Sequence, residues 1–168
     1  MKDASTPEKA AAALRFRDAG AGAEIPRAPI LQTLLAYWHS KCPGDGRLPR
    51  RADIDPLQLR SLLPSIYLID VVPEGKFRVR LLGEAHVAIY GTGQVGRIID
   101  DIFPPDSAAM FNRLYAAVVR RRAPIVNRGQ VTWWSNREWM RFEGLHAPLA
   151  SDGFAIDTIF GAGTFEDG

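Results

Sequence analysis

Residues 76–103, KFRVRLLGEAHVAIYGTGQVGRIIDDIF, constrain the fold more than any other stretch. Phe77, Val79 and Leu81 alternate with Arg78 and Arg80, a period of two that makes a strand with one apolar face and one arginine face. Past Gly83 the alternation stops. Residues 84–90 and 97–103 read as short helical segments on either side of Gly91-Thr92-Gly93-Gln94-Val95-Gly96. That run spells G-x-G-x-x-G, so its reading decides between a nucleotide-binding enzyme and something quieter. A dinucleotide site needs a strand leading into the glycines, a helix opening on the third, and an acid about 20 residues on. Here a helical segment precedes the glycines, the helix after them is short, and no acid lies between Ser107 and Arg137. The better reading is a turn, with glycines supplying positive φ where the chain curls over a sheet. A nucleotide-binding enzyme is the runner-up.

The neighbouring segments give that sheet its other elements. Residues 1–28 are rich in Ala, Gly and charge; they read as an arm, with a short helix over 8–16. Pro29 opens an amphipathic helix carrying Ile30, Leu31, Leu34, Leu35, Tyr37 and Trp38 on a wide stripe that needs covering. Asp55-Pro56 reads as a helix start, with the helix ending before Pro64. Residues 65–72 are a strand, and 73–76 turn it into the next. A longer helix follows Pro104-Pro105, with Phe111, Leu114, Tyr115, Val118 and Val119 at helical spacing. Three strands close the chain at 125–134, 138–149 and 154–162, leaving 164–168 as a tail. A two-residue loop at Asn136-Arg137 would set Trp134 opposite Trp139 and Trp133 opposite Met140. Val131, Trp133, Met140 and Phe142 would then share one face, with Thr132, Trp134, Trp139 and Arg141 on the other. The order predicts an α+β fold: a five-stranded antiparallel sheet with short helices and one longer helix on one side.

Composition narrows the function classes. A chain of 168 residues supports one domain, and a net charge of +2 is too balanced to imply a nucleic-acid or membrane partner. Its one cysteine, Cys42, excludes an intramolecular disulfide and a Cys-based zinc site. Without a signal peptide or a long apolar run, the expectation is a soluble cytoplasmic protein. Asp53/Asp55 and Asp100-Asp101 read as capping and solvated pairs, because adjacent carboxylates on a turn diverge. The cluster Arg47, Arg50, Arg51 and the triplet Arg120, Arg121, Arg122 read as solvated, not as phosphate contacts. His39, His86 and His146 have no metal-ligand spacing.

Several runs carry a family resemblance: Tyr37-Trp38 at a helix end, the P-R-R-A-D-I-D-P run of residues 49–56, Leu62-Leu63-Pro64, the strand ending in Asp70, and R-V-R-L-L-G over 78–83. Over about residues 30–163 the chain resembles the bacterial single-domain PAS family of the alphaproteobacterial type. The resemblance implies a PAS-like domain at 29–163 and a stand-alone sensory or adaptor module that is not an enzyme. A ligand-free interaction scaffold of the same fold is a further alternative. The implied small-molecule pocket lies between the sheet and the short helices, with Arg80, His86, Tyr90, Val131, Trp133 and Phe142 as its candidate lining. The resemblance also implies a homodimer through the N-terminal helix, at Ile30, Leu34, Tyr37 and Trp38, with a regulatory protein as a further partner. No cofactor is identified. A haem on His86 is the one histidine-based reading, and flavin photochemistry of the cysteinyl type is disfavoured because Cys42 precedes the sheet.

Overall fold

The computed structural model describes residues 25–168; the helix expected over 8–16 lies outside them. Helix α1 (Pro29–Lys41) has its proline in the first turn, where a missing N–H costs no hydrogen bond. Turns at Arg51–Asp53 and Leu63–Ser65 lead to β1 (Ile66–Val72), and Pro73–Gly75 reverses the chain into β2 (Lys76–Leu82). Helices α2 (Glu84–Tyr90), α3 (Ile99–Ile102) and α4 (Pro105–Arg121) follow, then β3 (Ile125–Gln130), β4 (Met140–Leu149) and β5 (Thr158–Asp167). The strands form one antiparallel sheet in the order β2-β1-β5-β4-β3. This is the expected α+β architecture, with α2, α3 and α4 on one face and α1 on the other.

The α1 face is a dense aliphatic layer. Leu31, Leu34 and Trp38 are buried against Leu145, Ala147, Leu149, Phe160 and Ala162, with Leu59 and Leu62 closing the side. Burying each such leucine contributes about 1.5–3 kcal/mol. Trp38 also donates its indole N–H to the Pro148 carbonyl at 2.9 Å. The proposed dimer stripe is therefore corrected: Leu34 and Trp38 are inside this chain's own core. Ile30 and Tyr37 pack beside them, and the Tyr37 hydroxyl accepts the Asp55 N–H at 2.7 Å. The stripe covers the sheet because that face of β4 and β5 is itself apolar.

The start of α1 is held by a side chain from the sheet. Ala28, the cap residue, offers no capping side chain. Instead Glu143 of β4, itself buried, accepts the Ala28 N–H at 2.7 Å and the Arg27 N–H at 2.9 and 3.1 Å, and pairs with Arg128. Burial alone would raise this carboxyl's pKa; the two N–H donors and the guanidinium outweigh it and hold the pKa below the ordinary carboxylate value. Residues 25–28, expected in the arm, are thus fastened to the sheet.

Three expected elements come out differently. Residues 56–62 form irregular turns, with Asp55 Oδ1 accepting the Leu57 N–H at 2.9 Å. The last strand begins at Thr158 and continues to Asp167, so the expected tail is strand. The segment 151–157 before it is a loop in which Asp152 Oδ1 accepts the Phe154 and Ala155 N–H groups. Finally, β3 ends at Gln130, paired with Arg141, and the β3–β4 loop is long. Trp134 is not across from Trp139: it lies over Tyr90 and Phe103, at ring-centroid distances of 5.3 and 5.8 Å, while Trp139 is exposed. Two adjacent tryptophans can face one side only by leaving the period-two pleat.

Candidate ligand-binding site

On the helical face, β1, β5 and β4 form a floor made of rings lying over glycines. Tyr67, Gly161 and His146 stand side by side across these three strands. The Tyr67 ring crosses Gly161 so closely that a Cβ there would meet its Cζ at 2.2 Å. Its hydroxyl reaches His146 Nδ1, and His146 Nε2 lies 2.7 Å from Asn127 Oδ1 on β3. Because that amide oxygen only accepts, Nε2 carries the imidazole proton and Nδ1 accepts from Tyr67. Gly144 leaves the gap for this contact, since its Cβ would lie 2.6 Å from Asn127 Oδ1 and 2.8 Å from His146 Nε2. Gly163, paired with Gly144, makes room for Phe142 and His86 in the same way, at 2.7 and 3.0 Å.

Helices supply the walls. His86 of α2 is buried, and its Nε2–H donates to the Ser65 carbonyl at 2.8 Å. Tyr90, one turn on, accepts the Trp133 indole N–H at 2.7 Å, and Gln94 donates its amide to the Tyr90 carbonyl. Ile99 and Ile102 of α3, Phe103, and Phe111 and Tyr115 of α4 complete the enclosure with Ile69, Val79 and Leu82. The space they enclose is a cavity of about 40 Å³. Its electrostatics are set by burial. Burial lowers the His86 pKa to about 4 against the opposing Ser65 bond, and lowers that of His146 to about 3. Burial also raises the pKa of Tyr90, which the Trp133 bond opposes, and of Tyr115, which nearby Tyr90 raises further. All four rings are neutral at pH 7.

Of the six expected lining residues, His86, Tyr90 and Phe142 border this cavity. Trp133 stands behind Tyr90 as its hydrogen-bond donor, and Val131 is fully buried in the same cluster without reaching the space. Arg80 is a correction. It projects to the opposite face of the edge strand and binds Asp70 Oδ1 at 2.6 Å, beside Arg78 at 3.4 Å from the same carboxylate. The alternation that buries Val79 turns Arg80 away. Sequence reasoning missed Tyr67, Asn127, Tyr115 and His146 as site residues. The available signal was a lone histidine among the otherwise apolar pocket-facing positions of a strand, two residues after a glycine.

The glycine motif is a connector. Gly91, Gly93 and Gly96 all have positive φ, with open space where a Cβ would stand. Gly91 ends α2, and the Gly96 N–H donates to Val79 O while Val79 N–H donates to Arg97 O, so the chain runs along the edge of β2. A helix precedes the glycines and a four-residue helix follows, so no phosphate cradle of the dinucleotide kind is built. Among the described residues no group of three or more His, Cys, Asp or Glu could hold a metal. A haem on His86 does not fit, because Nε2 is committed to Ser65 and the cavity is a small fraction of a macrocycle. A cysteinyl flavin does not fit either, because Cys42 caps α1 on the other side of the sheet. No helix among the described residues is long and apolar enough to cross a membrane.

Comparison with known proteins bears on the fold and the family. No curated protein matches the chain. Among solved structures, a LOV protein from Rhodobacter sphaeroides is similar at 17% identity and a TM-score of 0.44, over 67% of this chain and 68% of that one. An RNA-binding Light-Oxygen-Voltage receptor is similar at 13% identity and a TM-score of 0.44, over 73% of this chain and 35% of that one. The family described as PAS domain matches residues 27–164, from the Glu143-held start of α1 through the glycine-bearing part of β5. The chain belongs to the PAS domain family.

Proposed function

We propose that this PAS domain is a sensory module whose signal is a small molecule seated between the sheet and helices α2, α3 and α4. The observation that carries the reading is the glycine-floored cavity. Three central-strand positions give up their side chains where rings and a polar Tyr67–His146–Asn127 chain border this cavity. Strand glycines weaken a sheet, so a site that needs them is organised around what they make room for. The module acts by binding, without catalysis: His86 spends Nε2 on Ser65, His146 lies between Tyr67 and Asn127, and Asp100 is engaged by Lys76 and Asn112 outside the cavity. Occupancy would pass through β4, whose Glu143 grips α1 next to Gly144 in the floor, and shift the population of docked α1 toward or away from a regulatory protein partner in the cytoplasm. Residues 25–167 form the module in this reading. Its resemblance to the single-domain, alphaproteobacterial type suggests that it acts as a separate chain.

Hydrogen exchange with and without a panel of neutral small molecules tests this. A ligand that slows exchange in α2 and α3 and also changes exchange in residues 27–34 supports the reading. Protection confined to α2 and α3, with residues 27–34 untouched, removes the coupling to α1.

A further inference from the structure

The lining of the cavity points to the chemistry of its ligand. Its fourteen residues include no Lys, Arg, Asp or Glu, and its two histidines are buried. Nothing there can neutralise a charge, and an unpaired charge in an apolar enclosure is strongly disfavoured. The wall nevertheless keeps hydrogen-bonding capacity. Tyr115 is 4% exposed, borders the space, and has no hydrogen-bond partner for its hydroxyl among the described residues. The Tyr90 hydroxyl accepts from Trp133 and retains its own O–H to donate. Because His86 donates Nε2–H to Ser65, its Nδ1 is an acceptor. Two hydroxyl donors and one imidazole acceptor on an otherwise aromatic and aliphatic wall suit a neutral oxygen function. Size is the second limit: the 40 Å³ here compares with about 150 Å³ for a cavity that takes benzene.

Resting on the ligand site proposed above, we infer that the cavity selects an uncharged molecule well short of benzene in size, bearing one hydroxyl or carbonyl group. Its oxygen accepts from Tyr115 or Tyr90, and a hydroxyl proton, where present, donates to His86 Nδ1. Short-chain alcohols, ketones and amides have this chemistry. Carboxylates, phosphates and ammonium ions of equal size do not.

The test uses the full chain and the Trp133 indole N–H resonance, which reports on Tyr90. Ethanol, acetamide, acetate and xenon are titrated separately. Saturable shifts with ethanol and acetamide are expected, with acetate, of the same size and shape as acetamide, at least about tenfold weaker. Tyr115→Phe should weaken acetamide by about fivefold and leave xenon unchanged. If Tyr115→Phe does not fold, Tyr90→Phe gives the comparison as the ratio of acetamide to xenon affinity, because that variant also unpairs the Trp133 N–H. Acetate binding as tightly as acetamide overturns the charge selectivity and leaves the cavity as a ligand site. Equal acetamide affinity in both tyrosine variants overturns the hydrogen-bond assignment. No response to any probe, xenon included, removes the ligand site itself and the reading built on it.

Discussion

On β4, Leu145, Ala147 and Leu149 look toward α1, while Phe142, Gly144 and His146 look toward the cavity. The two faces share a backbone and follow opposite rules. The α1 face is closed by aliphatic side chains whose removal leaves a hole. The cavity face is built from flat rings, three glycines and a buried polar chain, and it encloses space instead of filling it. One face holds the sheet together, and the other gives up packing for a site. A substitution on the first should therefore act on stability, and one on the second on stability and ligand affinity together.

The largest effect that can break this contrast is Trp38→Ala. It should cost about 3–5 kcal/mol in denaturant unfolding, since both the indole packing and the bond to Pro148 are lost. A loss below about 1 kcal/mol would mean that α1 is not integral to the core. Acid comes next and acts on the cavity face. The His86 and His146 pKa values are lowered to about 4 and about 3 in the folded chain, against about 6.5 unfolded. Below pH 6.5 the unfolded state holds more protons, so stability is complete above that pH and falls as pH drops toward the folded values. The slope is roughly 1.4 kcal/mol per pH unit for each histidine, or about 4 kcal/mol for the pair between pH 6.5 and 5. Urea unfolding at pH 7 and 5 measures it, and His146→Gln should remove about half; an unchanged slope would place His146 in contact with water.

Gly161→Ala sharpens the role of the floor. Its Cβ would meet the Tyr67 ring, so a loss of about 1–3 kcal/mol is expected, together with displacement of Tyr67 from His146, visible in the His146 imidazole shifts. A variant with parental stability and shifts would show that Tyr67 does not lie across β5. The smallest effect is Arg80→Ala: about 1 kcal/mol or less, with ligand affinity unchanged, because its side chain is 44% exposed and faces away from the cavity. A drop in affinity would return Arg80 to the binding site.

Where local pattern and tertiary role agreed, the sequence was readable. Residues 84–90 were legible as a helix because Gly83 and Gly91 bracket them, and α4 because its apolar spacing matches the face it buries. The last strand was read as stopping at 162, with Gly161 inside it and Gly163 just beyond, whereas both glycines lie within β5. Their purpose is visible only once Tyr67, Phe142 and His86 are known to cross them. Trp134 was misplaced because period two carries no information on where a strand stops. The stripe on α1 was legible as apolar, but its cover is Leu145, Ala147 and Phe160, far along the chain, and helical spacing does not say what a helix meets. His146 resembled any strand histidine until its two neighbours came from β1 and β3.

Residues 96–98 lie along β2 and occupy both backbone groups of Val79, with Arg78 opposite Ile98. Among the described residues the outer side of β3 has no such cover. Among the described residues the two margins of the sheet therefore differ: one is stoppered at its centre and the other has no backbone partner. A strand added along β2 would meet the occupied backbone of Val79, whereas along β3 the described residues place nothing in its way.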